Sequence, residues 1–138
     1  MLKYMLDTNI CIFTIKERPA GVHEAFKQHH ERMCISTVTL MELIDGAEKS
    51  NNSHHNLRDV EGFTARLEVF EHDADAAAHT GQIRADLAKA GQPVGPYDQM
   101  IAGHARSMGL VLVTNNVREF DRAPGLRIDD WTTTQPGR

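Results

Sequence analysis

Four carboxylates stand out by their settings: Asp7 in MLDTN, Glu42 in TLMELI, Asp98 in GPYDQM and Glu119 in NNVREF. Each alone has an ordinary explanation. Asp7 precedes a Thr-Asn pair and suits a helix N-cap. Asp98 falls in the first turn of a helix, where the helix dipole favours an acid. Glu119 has Arg118, Asp121 and Arg122 around it, the makings of a surface ion-pair cluster. Glu42 is stranger, because it interrupts the mostly apolar run of residues 38–44. A lone buried carboxylate is costly, so this one either faces solvent or meets a cation. Asp98 also precedes Ile101, Ala102 and Ala105 by three, four and seven residues, which places it on the apolar stripe of its helix. Acids gathered in one crevice repel each other and call for a cation. Oxygen donors without a thiolate or histidine pattern suit Mg²⁺ or Mn²⁺. Such an ion lowers the pKa of a bound water and neutralises charge on a phosphodiester under in-line attack. A carboxylate free of the metal can orient that water or take its proton.

Short buried strands alternate with helices along the chain. Residues 2–6 read as a strand ending at Asp7-Thr8-Asn9, a turn or cap signal. A short helix follows, Pro19 breaks it, and residues 21–29 form a second helical stretch. Residues 33–35 read as a strand, and Ser36 or Thr37 caps a helix over 38–49 with Leu40, Ile44 and Ala47 on one face. A helix over 54–66 and a weak strand over 67–70 come next. Asp73 then caps a long alanine-rich helix that Gly91 ends. Pro96 opens another helix that stops at Gly109. Residues 110–113 are the clearest strand, followed by a single helical turn over 117–120 and an edge strand over 126–128. This alternation predicts a three-layer α/β/α sandwich around a mainly parallel sheet. Ligands of such sheets sit beyond the carboxyl ends of the strands, and all four acids are expected there. One domain over 1–131 and a flexible tail over 132–138 are expected.

Composition narrows the function classes. The chain has 138 residues, 41% hydrophobic and 25% charged, an ordinary globular balance. A net charge of −4 argues against a broad basic surface, although ten of its fifteen bases are arginine, whose forked donors suit phosphate. Arg118, Arg122 and Arg127 are candidates for a rim that meets such groups. No apolar run nears the ~20 residues of a membrane span, and the start is too short and acidic for a signal peptide. Cys11 and Cys34 read as buried free thiols of a cytoplasmic protein. Phe13, Phe63, Phe70 and Phe120 read as core, and Trp131 as an anchor for the last strand. Most of the eight histidines read as surface.

The segments MLDTN, CISTVTLMELIDGAEKS, GPYDQMIAGHA and LVLVTNNVREF resemble the PIN domain, and more closely the VapC toxins of bacterial type II toxin–antitoxin pairs. PVGPYDQMIAGHA and TNNVREF are similar to their enteric-type branch in particular. The resemblance runs from Met1 to about Trp131. It implies that Asp7 and Asp98 are metal ligands and that Glu42 is the third acid of the cluster. The family usually carries an aspartate where this chain has Asn116, so Glu119 takes over, directly or through a water. Thr8 and Asn9 orient Asp7 or touch phosphate, and Asn115 and Asn116 do likewise. The implied activity is a Mg²⁺-dependent endoribonuclease, with Mn²⁺ able to substitute, that cuts RNA and stops translation. Its implied substrate is the anticodon loop of initiator tRNA. The implied partners are a second copy of the chain and a VapB-type antitoxin whose tail lies in the active-site groove, with promoter DNA reached only through that antitoxin.

Two other classes remain. One is a PIN-like binding module whose acidic pocket has degenerated, for which Asn116 is the best support. The other is a metal-free ribonuclease using imidazole acid–base chemistry, although His104, six residues after Asp98, points to the opposite helix face. Asn9 stands where a haloacid-dehalogenase-type phosphatase needs a second aspartate, and no His-x-x-x-His or cysteine cluster supports a zinc hydrolase.

Overall fold

A computed structural model describes residues 1–92 and 94–133. The first strand, β1 (Tyr4–Leu6), leads through α1 (Thr8–Ile15) and α2 (Ala20–Gln28) to β2 (Met33–Ser36). Helices α3 (Thr37–Glu48) and α4 (Ser53–Thr64) follow, then β3 (Glu68–Phe70), α5 (Ala74–Lys89) and α6 (Pro96–Ser107). Strand β4 (Val111–Val113), α7 (Val117–Phe120), β5 (Ile128–Asp129) and a 3₁₀ turn (Trp131–Thr133) complete the chain. All strand pairs are parallel, in the order β3-β2-β1-β4-β5. The three-layer parallel sandwich expected from the alternation is the architecture found.

The period-two geometry of a strand divides each one between two apolar layers. Tyr4, Leu6, Ile35 and Val113 face α1, α2 and α4, where Ile10, Phe26, Val60 and Phe63 meet them. Met5, Cys34 and Leu112 face the other way, onto Ile83, Leu87, Ile101 and Ala105 of α5 and α6. After β3 the chain returns past the first half and lays β4 on the free side of β1. This reversal opens a crevice at the carboxyl ends of β1 and β4. Side-chain oxygens start three helices: Asp7 caps α1, Ser36 caps α3 and Asp73 caps α5. Gly91 and Gly109, which end α5 and α6, have positive φ of 64° and 67°.

Several expectations shift. Helix α3 buries Val38, Thr39, Leu43 and Ala47, while Ile44 is 39% exposed. The apolar face is therefore turned by about one residue, and Glu42 sits at its margin. Asp98 does not follow a strand directly. It reaches the carboxyl edge because α6 runs back against the strand direction before feeding β4 from the opposite edge. The last strand begins at Ile128 rather than 126, and Arg127 donates at 2.5 Å to the Gly109 carbonyl. Gly109 precedes β4, so Arg127 lies at the amino edge, away from the crevice. His104 is buried, and the His72 ring stands 5.3 Å from it edge-on. His29 stacks on Trp131 at 5.1 Å, with Tyr4 5.3 Å from the indole. Thr132, expected in the loose tail, donates its backbone N–H and hydroxyl to Asp130 at 2.9 and 2.5 Å. Residues 134–138 of that tail lie outside the described residues. Cys11 and Cys34 are buried free thiols, and no helix among the described residues is long and apolar enough to cross a membrane.

Helices α5 and α6 approach closely at Gly103, where a Cβ would come within 2.6 Å of the Thr80 Cα. Gly103→Ala is expected to force the pair apart and cost about 1–3 kcal/mol. Gly46→Ala, which meets open space on α3, is expected to gain up to about 1 kcal/mol. Urea unfolding midpoints of the two variants check the contrast.

Candidate active site

Asp7 leaves β1 with its backbone N–H donating to the Val113 carbonyl at 3.0 Å, which ties the ends of the two central strands together. Its extended backbone lets the side chain turn back and cap α1, Oδ1 accepting the Ile10 N–H at 2.9 Å. Oδ2 accepts the Thr114 hydroxyl at 2.5 Å. The Thr114 oxygen in turn accepts the Asn116 N–H at 2.9 Å. Asp7 is 4% exposed. Burial pushes its carboxyl up to about 6, against the lowering effect of the Thr114 and Ile10 bonds, and Glu42 and Asp130 push the same way as burial.

Glu42 reaches toward Asp7 from α3, and its Oε1 accepts the Thr8 hydroxyl at 2.7 Å. Asp98 enters from the first turn of α6. Burial is the largest cause of its rise to about 6, followed by the charges of Glu119, Glu42 and Asp7. Glu119 accepts the Gly95 N–H at 3.1 Å and the side-chain amide of Asn116. The Gly95 backbone and the Asn116 amide together hold the Glu119 carboxylate. Asp7, Thr8, Asn9, Glu42, Asp98, Asn116 and Phe120 line a cleft of about 210 Å³. Asn115 is exposed and absent from that wall. The other seven residues singled out from the sequence converge on the cleft or on its margin.

Two participants escaped the sequence reading. In the sequence Thr114 is only the residue after the 110–113 strand, and its role depends on β4 lying beside β1, with Leu6 opposite Val113. Asp130 acts electrostatically on Asp7. Its signal was available, since it follows β5 as Asp7 follows β1.

Among the described residues no lysine or arginine lines the cleft, so its acids face one another there without a countercharge. Among the described residues no three His, Cys, Asp or Glu side chains form a ready-made metal cage. An open set of oxygen donors fits a hard divalent ion that keeps several of its waters. Burial first and mutual repulsion second raise both aspartates, and such an ion would relieve both.

The family model for the PIN domain matches residues 4–126. The chain is 65% identical over 132 residues to the tRNA(fMet)-specific endonuclease VapC of Shigella flexneri, covering 96% of this chain and 100% of that protein. It is similar to the toxin in a crystal structure of DNA-bound VapBC from Salmonella typhimurium, with a TM-score of 0.91 and 66% identity over 95% of this chain and 99% of that one. A structure of VapBC2 from Rickettsia felis bound to a promoter DNA fragment superposes with a TM-score of 0.88 at 32% identity, over 94% and 99% of the two chains.

A carboxyl raised in the folded state holds its proton longer there than in the unfolded chain. Metal-free stability contributed by Asp98 is therefore present below about pH 4 and lost as pH rises through about 6. Asp98→Asn is expected to stabilise the metal-free protein by about 1–2 kcal/mol at pH 7.5, after allowance for solvent screening, and by little at pH 4. Millimolar Mn²⁺ is expected to raise the melting temperature of the parent chain but not of the variant. Paired thermal melts at the two pH values, with and without Mn²⁺, read both effects.

Proposed function

The chain belongs to the PIN domain family, and from that premise we propose that it is an endoribonuclease toxin of the VapC type that inhibits translation by cutting initiator tRNA in its anticodon loop. The observation that carries this reading is the convergence of Asp7, Glu42 and Asp98 on one cleft, with Glu119 beside Asp98 at its margin and, among the described residues, no lysine or arginine on its wall. PIN-domain ribonucleases depend on divalent metal, and Mg²⁺, with Mn²⁺ as a substitute, is the ion that the all-oxygen donor set favours. The names of its relatives supply the substrate and the partner: a tRNA(fMet) for the Shigella protein and a VapB antitoxin for the Salmonella one. A homodimer, a single domain over 1–131, promoter DNA reached only through the antitoxin and a cytoplasmic site complete the proposal.

Asp7 and Asp98 would hold the metal. Bound there, the ion supplies a water of lowered pKa and offsets phosphodiester charge. Thr114 and the Ile10 N–H each take one lone pair on a different Asp7 oxygen, which fixes the carboxylate and leaves one lone pair on each oxygen for a ligand of the cleft that Asp7 lines. The Thr8 hydroxyl holds Glu42. Glu42 and Glu119 are the groups placed to orient the attacking water and receive its proton. Asn9 and the second N–H of the Asn116 amide offer donors to phosphate oxygens, while the Thr8 hydroxyl proton is already given to Glu42. Attack by water leaves a 3′-hydroxyl and a 5′-phosphate. An imidazole route through the 2′-hydroxyl would leave a cyclic phosphate, and the burial of His104 against His72 speaks against it. The degenerate binding module loses its main support, because the Asn116 amide is bonded to Glu119.

Purified chain freed of antitoxin is expected to cut total tRNA at a discrete position in Mg²⁺ and not in EDTA. Asp7→Asn and Asp98→Asn are each expected to lower the rate by about 100-fold or more, beyond what loss of an outer-shell partner costs. Mapping the product ends decides between the two chemistries. Cutting that survives EDTA and both substitutions would overturn the reading.

A further inference from the structure

A longer trough borders the acidic cleft at Glu42. A cavity of about 440 Å³ between α1, α3 and α4 begins at Glu42, which it shares with the cleft, and runs along Ile12, Leu43, Ala47 and Val60. At its far end it forks. One branch, about 260 Å³, shares Ile15 and Asp59 with the trough and adds Arg58, Phe63 and Arg66. The other, about 410 Å³, shares Ile12 and Lys16 and adds Arg18. The trough is thus acidic where it meets the cleft and basic where it leaves, with α1 spanning the distance. Eight residues of helix, Thr8–Ile15, rise about 12 Å.

Lys16, Arg18, Arg58 and Arg66 are all exposed, and none has an ion-pair partner among the described residues. Asp59, the one acid at the fork, lies 3.3 Å from the His55 Nε2. Lys16 and Arg66 sit just past α1 and α4, where the negative end of a helix attracts a base. Arg58, within α4, has no such reason to be there. Arg66 lies over the Phe26 ring at 5.3 Å, and the ring restricts the side chain while leaving guanidinium N–H groups free. A planar fork held in this way is pre-organised for phosphate.

We propose that Arg58 and Arg66, with Lys16 and Arg18, form a phosphate-binding site for the RNA strand that runs out of the cleft along α1. This rests on the ribonuclease reading and extends it. The cleft repels a polyanion except at the metal, so a remote basic anchor supplies affinity without disturbing the scissile position. The anchor contacts phosphate rather than bases. It therefore serves any strand long enough to reach it and adds nothing for a dinucleotide.

The test is RNA affinity measured by fluorescence anisotropy on the non-cutting Asp98→Asn background. Each phosphate contact on a single strand contributes about 0.7 to the slope of log K against log salt. Arg58→Gln with Arg66→Gln is therefore expected to lower the slope by about 1.4 and to weaken binding about tenfold near 150 mM salt. Arg84→Gln with Lys89→Gln, an equal change of charge on exposed positions of α5, is expected to change binding less than twofold. Arg58→Lys with Arg66→Lys is expected to recover most of the affinity, which a folding defect would not allow. Equal effects from the two glutamine pairs, or none from either, would overturn the proposal. So would normal RNA binding combined with impaired inhibition by the antitoxin, which would assign the bases to that protein. A parent chain that neither cuts nor binds RNA would remove the ribonuclease reading as well, whereas cutting with undiscriminating variants removes the anchor alone.

Discussion

The hydrogen bond from Thr114 to Asp7 joins two residues 107 positions apart, and the rest of the site depends on it. Asp7 is a cap, a strand terminus and a buried acid at once. Its carboxylate satisfies the first turn of α1 and receives the hydroxyl at the end of β4, so the two central strands finish in register on opposite sides of one side chain. The same threonine oxygen fixes the Asn116 backbone, and the Asn116 amide bonds Glu119. Four elements are thereby referred to one buried charge.

The arrangement conflicts with stability in a productive way. Burial in a partly dry crevice, and after it the neighbouring carboxylates, raise the proton affinity of Asp7 and Asp98, and the hydrogen bonds from Thr114 and Ile10 offset only part of this at Asp7. The fold supports this because most of its apolar area lies elsewhere, in the two layers that clasp the sheet. The unfavourable charges are confined to the carboxyl edge, where bound cation and substrate meet protein.

Much of this architecture was readable from local chemistry. Asp7, Ser36 and Asp73 are cap residues before apolar runs, and Gly91 and Gly109 follow helix ends, so the sequence of elements emerged with boundaries displaced by only a few residues. Family resemblance and strand-end placement together found the acids. What was not readable depends on neighbours distant in sequence. The face of α3 is decided by α1 and α4, which bury Leu43 in preference to Ile44. Thr114 acquires its partner only when β4 is laid beside β1. Histidine counts said nothing of His104 and His29, because burial against His72 or Trp131 is a matter of packing and not of residue type. Arg127, grouped with Arg118 and Arg122 by proximity in sequence, belongs to the other end of the sheet because it precedes its strand.

The placement of Trp131 bears on how the molecule comes into being. Its indole fills the space between Tyr4 of the first strand and His29 at the end of the second helix, and β4 lies inside the sheet, between β1 and β5, although it is made after β3. The β3-β2-β1 half can pair once Phe70 is made, but the seam between β1 and β4 waits for Val111–Val113. Contacts of such sequence separation form slowly, after a long loop has closed. During synthesis, then, the ribosome carries a polypeptide whose cleft does not yet exist: Asp7 emerges first, and the hydroxyl that orients it follows 107 residues later.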